Sequence, residues 1–202
     1  YGEVLDKAAA GDFRANMLAG EYWMGLYYLN RGDLPLACLE HMQHFFRDAA
    51  TASGHPAPKL MMTDPYGIFG IFKAQPMQPE HAEWLAACRK LAEKGDMDAV
   101  TALYTVTDLP EAELRRYLAP LEKKAASGDQ DALAQLAFIK VDWLEENPAN
   151  VIETLKQYRK NAKPVLLARI GELALALDGK DGRGWRDTAI QSLSLIHISE
   201  PT

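Results

Sequence analysis

Apolar positions along this chain recur at helical spacing. Leu18, Ala19, Tyr22, Gly25, Leu26 and Leu29 follow one another at steps that build a single stripe, which predicts a helix ending at Asn30-Arg31-Gly32-Asp33. A second helix is expected from about Leu34 to Ala50. Near the other end, Asn147-Pro148 suits the opening of a helix carrying Ile152, Leu155 and Tyr158. A corner near Asn161 to Pro164 and an apolar helix from Val165 to Leu177 follow it. The pattern predicts an all-α fold.

The punctuation between these stripes repeats. Asp6-Lys7-Ala8-Ala9-Ala10-Gly11-Asp12-Phe13-Arg14-Ala15 is echoed by the stretches 90–99 and 123–132, and each ends in Gly-Asp-x-x-Ala. Gly11, Gly95 and Gly128 are suited to the left-handed conformation that ends a helix. Asp12, Asp96 and Asp129 can then accept a hydrogen bond from the free N–H groups that open the next helix. Small residues flank each corner, with Ala8, Ala92 and Ala125 before it and Ala15, Ala99 and Ala132 after it. Two backbones are therefore expected to pass closely there.

A second phrase marks another corner. Asp33-Leu34-Pro35-Leu36-Ala37 matches Asp108-Leu109-Pro110-Glu111-Ala112, with the aspartate as N-cap and the proline in the first turn, where its missing N–H does little harm. Each unit thus reads as helix, corner, helix. The middle unit has room for only about three turns between Gly95-Asp96 and Asp108.

These residues resemble the Sel1-like repeats, relatives of the tetratricopeptide repeat. The family phrase Leu-Gly-x-x-Tyr-x-x-Gly is met by Leu18, Tyr22 and Gly25, with Ala19 replacing the first glycine. The Asp-x-x-x-Ala opening of the second helix appears at Asp33 to Ala37 and at Asp108 to Ala112. The Lys-Ala-Ala-x-x-Gly close appears at Lys90 to Gly95 with Leu91 for the first alanine, and at Lys123 to Gly128 with Lys124 there. The resemblance covers roughly residues 5–52 and 80–175. It implies a right-handed superhelical solenoid of antiparallel helix pairs. It also implies a non-catalytic scaffold, without cofactor, that holds a protein or peptide partner, as in exported or envelope proteins of bacteria. The expected fourth unit, opened by Asn147-Pro148, lacks the Gly-Asp corner.

Residues 53–79 fit no repeat. Pro56, Pro58, Pro65, Pro76 and Pro79, with Gly54, Gly67 and Gly70, argue against a long helix. The stretch is nevertheless apolar at Leu60-Met61-Met62 and from Tyr66 to Phe72. It reads either as an insertion packed onto the helices or as a ligand or partner surface. On the second reading Tyr66, Phe69 and Phe72 are the binding residues.

Residues 193–202 resemble the translation of an adaptor used in preparing sequencing libraries. The expectation is a single repeat domain over residues 1–192 followed by a non-native tail. The chain starts at Tyr1, so a signal peptide or lipid anchor is expected, if anywhere, upstream of it.

The chain has 202 residues, of which 48% are apolar, enough for a substantial core. Its formal charge of −6 argues against nucleic acid as a partner. No run approaches the roughly 18 apolar residues of a membrane span. Lys156, Arg159, Lys160 and Lys163 make a local positive face that reads as a solvated helix side.

Chemistry offers one candidate group. Cys38, His41 and His44 are spaced three apart on a predicted helix and fall near one face, which is the basis of an alternative reading as a metal-binding or hydrolytic domain. The bland reading is a buried Cys38 with both histidines at the edge of the stripe. Cys38 and Cys88 are the only cysteines, and whether they pair stays open. The chain has no Gly-x-Ser-x-Gly elbow, no phosphate-binding glycine loop and no His-Glu-x-x-His pair. Glu111 and Glu113 complement a helix dipole, and Glu145 and Glu146 are expected to face water. Neighbours in sequence diverge by about 100° around a helix, so Tyr22, Trp23, Tyr27 and Tyr28 cannot all face inwards. They form the expected anchor patch for a partner. Trp84, Trp143 and Trp185 are expected to fill gaps between layers.

Overall fold

The structure is a computed structural model and describes residues 2–29, 35–62, 79–155, 158 and 162–175. Among the described residues the chain is all-helical and contains no strand. Among the described residues ten helices follow in order: α1 Gly2–Ala9, α2 Phe13–Leu29, α3 Pro35–Ser53, α4 Pro56–Met61, α5 Pro79–Ala92, α6 Met97–Val106, α7 Glu111–Ala126, α8 Gln130–Asp142, α9 Pro148–Leu155 and α10 Pro164–Leu175. Among the described residues no helix is long and apolar enough to cross a membrane. The chain divides into two compact units, Tyr1–Tyr117 and Leu118–Thr202.

The three Gly-Asp corners share one hydrogen-bond pattern. Gly11, Gly95 and Gly128 have φ of 83°, 82° and 89°, which an L side chain adopts only at a cost. At the first corner the Gly11 N–H donates to the Ala8 carbonyl at 2.9 Å and the Asp12 N–H to the Lys7 carbonyl at 3.0 Å. Gly95 and Asp96 do the same toward Ala92 and Leu91, and Gly128 and Asp129 toward Ala125 and Lys124. This paired arrangement satisfies the last free carbonyls of a helix. Each aspartate then accepts the N–H of the alanine three residues on: Ala15 to Asp12 at 2.7 Å, Ala99 to Asp96 at 2.9 Å and Ala132 to Asp129 at 3.1 Å. The six flanking alanines are all buried.

The Asp-Leu-Pro corner is built differently from the sequence expectation. Helix α7 starts at Glu111, one residue past Pro110, whose carbonyl accepts the N–H groups of Glu113 at 2.9 Å and Leu114 at 3.0 Å. Asp108 is exposed and lies too far upstream to cap that turn. Ala112 is exposed in the first turn. Pro35 begins α3, whereas Asp33 lies outside the described residues, as does the side chain of Ala37.

In the first unit α2 packs against α1 and α3, and the short helix α4 packs against α3, α5 and α6. Met17, Cys38, Met42 and Phe46 fill the space between α2 and α3. Helix α4 occupies the start of the proline-rich stretch. Gly54, at φ 66°, ends α3, and His55 caps α4 ahead of Pro56. Ala57, Pro58, Leu60 and Met61 are buried, so this part of the stretch is core. The remainder, including Tyr66, Phe69 and Phe72, lies outside the described residues. Tyr117 is 1% exposed, and its hydroxyl donates to Glu113 Oε1 at 2.5 Å.

The second unit gathers Ala134 and Ala137 of α8, Val151, Ile152 and Leu155 of α9, and Leu166, Ile170 and Leu173 of α10 into one core, with Tyr158 against it. The Asn147 side chain caps α9 by accepting the Ala149 N–H at 2.9 Å. Helix α8 ends without glycine. Leu144 donates to the Ile139 carbonyl and Glu146 to the Lys140 carbonyl, with Glu145 forced to φ 52°.

Candidate interaction surface

Helix α2 presents two faces. Ala15, Asn16, Ala19 and Gly20 are buried, whereas Leu18 is 41% and Tyr22 47% exposed. Arg14, Leu18 and Tyr22 stand four residues apart, which lines them along the outer side of the helix. The stripe that the sequence draws through Leu18, Ala19 and Tyr22 is therefore split. The cause is on α3: a β-carbon at Gly20 would lie 2.5 Å from the fully buried Phe46 ring. Small residues let the two backbones approach, and that rotates the larger side chains outward.

Next to Tyr22 the indole of Trp23 meets it edge-on, with ring centroids 5.9 Å apart. The other face of this group is closed by His41 of α3, stacked on Trp23 at 4.4 Å with the planes 23° apart. Trp23 is half-buried, and its enclosed Nε1 finds no hydrogen-bond acceptor among the described residues. Tyr27 and Tyr28 lie at the end of α2, with side chains outside the described set.

Charge is arranged beside the patch. Arg14 pairs with Asp98 of α6 across the structure. Glu21 is half-buried, and burial raises its carboxyl to about 7 against the pull of Arg14, with the Asp98 charge pushing the same way as burial. The outer side of α2 thus combines two exposed apolar side chains, an enclosed indole donor and a carboxyl that changes charge near neutrality.

The alternative group of Cys38, His41 and His44 does not converge. Cys38 is 1% exposed and points into the core, His41 lies on Trp23, and His44 is exposed 3.6 Å from Asp48. Among the described residues no three His, Cys, Asp or Glu side chains form a metal-binding group. Cys38 and Cys88 are buried free thiols. Burial pushes the Cys88 thiol up to about 12, with the charge of Asp96 adding to it, so it stays protonated and unreactive.

Several of the remaining residues singled out in the sequence make local contacts. Glu111 receives a hydrogen bond from Arg115 at 2.7 Å, Glu113 receives the Tyr117 hydroxyl, and Glu146 lies 3.7 Å from Lys140. Trp84 and Trp143 are half-buried, the latter edge-on to Phe138 at 6.2 Å. Trp185 and residues 193–202 lie outside the described part, as do Lys156, Arg159 and Lys160.

Three structural roles escaped the sequence reading. Asn16 is fully buried, donating from Nδ2 to the carbonyls of Ala8 at 3.1 Å and Asp12 at 2.9 Å, while its Oδ1 has no partner among the described residues. A signal existed, because the equivalent positions in the other copies of the phrase are Val100 and Leu133. Glu21 is the one acidic residue of α2, which also marks it. His55 follows Gly54 and precedes Pro56, the order of a helix end and a helix start. The chain matches none of the protein-family models, curated proteins or solved structures with which it was compared.

Proposed function

We propose that this chain is a non-catalytic helical-repeat scaffold, built of Sel1-like helix pairs stacked as a right-handed solenoid, that binds a protein or peptide partner on the outer side of α2. The observation that carries the reading is the pairing of exposed Leu18 and Tyr22 on a helix whose opposite side is locked to α3. Aromatic side chains on a rigid support are favourable anchors because little conformational entropy is lost when they are covered. The recurrence of one hydrogen-bond pattern at three corners supports the repeat part of the proposal.

A photo-crosslinking amino acid at position 22, compared with one at exposed Lys123 of α7, tests it in the source cells. A discrete adduct from position 22 that is lost with Leu18→Ser and not formed from position 123 is the expected result. Equal labelling from both positions, or none from position 22, overturns the proposed surface.

A further inference from the structure

His55 is shared between two helix starts. Its Nδ1 accepts the Ala57 N–H at 3.1 Å, capping α4, and its Nε2 lies 3.2 Å from Asp96 Oδ2. The other oxygen of Asp96 accepts the Ala99 N–H, capping α6. An imidazole nitrogen that accepts a hydrogen bond carries a lone pair, so the ring proton must sit on Nε2, where it can donate to the carboxylate. The side chain is only 16% exposed, and the ring lies 5.3 Å from that of Phe13.

We infer that His55 is a proton-operated latch which holds the first turn of α4 to the second Gly-Asp corner. A second proton on the ring has only Nδ1 to occupy. There it sets a donor against the Ala57 N–H, so the cap of α4 is lost. The Nε2 bond to Asp96 survives, now between opposite charges. Helix α4 has six residues and is held by the burial of Ala57, Pro58, Leu60 and Met61, so what the lost cap loosens is its first turn. Acidification thus loosens the first turn of α4 while the ring stays tied to the α6 corner.

The charged and titratable groups around the latch are named by the packing. Asp96 faces the ring, and its carboxyl is held below the usual range by the His55 hydrogen bond foremost, against burial. Asp98, in the first turn of α6, is paired with Arg14 of α2. Helix α3 offers the Ser53 hydroxyl, which accepts the His55 N–H at 3.1 Å. Lys59 lies on α4 itself, and α5 contributes buried His81, whose imidazole burial holds below its usual range. The latch must therefore be read at the His55 ring, apart from His81.

The test is nitrogen-detected NMR of the intact chain, with the ring signals of His55 assigned, alongside hydrogen exchange of the Ala57 amide. Above the ring's titration the expected tautomer is Nε2–H. As the ring gains its second proton, Ala57 exchange, corrected for the intrinsic effect of pH, should accelerate at least tenfold. His55→Asn keeps a capping oxygen but cannot gain a proton, and should abolish that acceleration. An Nδ1–H tautomer, or Ala57 protection unchanged across the ring titration, overturns the latch. Both readings come from the unaltered protein, so the outcome stands even if the variant fails to fold.

Discussion

Gly20 of α2 lies against Phe46 of α3 so closely that a β-carbon there would fall 2.5 Å from the aromatic ring. The ring is fully buried and has nowhere to yield. Gly20→Ala is expected to cost about 1–3 kcal/mol despite alanine's better helix propensity. Urea unfolding reads this directly. Phe46→Leu should lessen the penalty of the alanine, so the double variant is less unstable than the sum of the singles; strict additivity would refute the contact.

Glu21 gives stability a dependence on pH of definite sign. Its folded carboxyl titrates near 7 and its unfolded one near 4.5. The unfolded chain therefore sheds this proton first, and stability falls as pH rises from about 4.5 to 7, by on the order of 3 kcal/mol in all, then levels off. Glu21→Gln removes the penalty. Melting temperatures should show the variant clearly above the parent at pH 8 and converging with it toward pH 4.5. A constant offset across that range would contradict the shift.

The Asp96 corner should be worth more than the Asp129 corner. Among the described residues Asp129 accepts backbone N–H groups alone, those of Asp131 and Ala132, whereas Asp96 accepts the Ala99 N–H and also holds His55. Asp129→Ala is expected to cost about 1 kcal/mol, and Asp96→Ala more. The folded carboxyl of Asp96 is held below its ordinary 3.8. Its contribution is thus complete above that value and is lost as pH falls through the lower folded value. Denaturant midpoints of both variants, at pH 7 and in acid, provide the check.

Glu145 occupies a left-handed conformation that glycine fills at four other described helix ends. Glu145→Gly is expected to stabilise the second unit by up to about 1 kcal/mol, the steric cost removed less the added freedom of the unfolded chain. Gly95→Ala is the converse and should destabilise by a similar amount. Thermal unfolding of the two single variants distinguishes these signs.

What was legible in the sequence follows the reach of the interactions. A Gly-Asp corner depends on a backbone angle at one residue and on a carboxylate oxygen that bonds three residues later, so the phrase itself carries the geometry. The exposure of Leu18 and Tyr22 depends instead on Phe46, a side chain from another helix that dictates which side of α2 is pressed inward. The state of Glu21 depends first on its burial and then on Arg14 and Asp98, the last contributed by α6. Cys38, His41 and His44 share a spacing but are drawn apart by the core on one side and Trp23 on the other. The capping role of His55 went unread because histidine is a less familiar helix cap than aspartate, although Gly54 and Pro56 frame it as one.

The corner between α1 and α2 is complete within residues 7–15, and those at Gly95 and Gly128 are equally compact. Closing so short a loop takes tens of nanoseconds, far less than assembling distant contacts. The bends can thus begin to form before the helices they join have found their packing partners, and contacts of low sequence separation favour rapid folding. Faults at a bend should accordingly slow the forward reaction, whereas faults such as Gly20→Ala, which strain a contact between separate helices, should chiefly hasten unfolding.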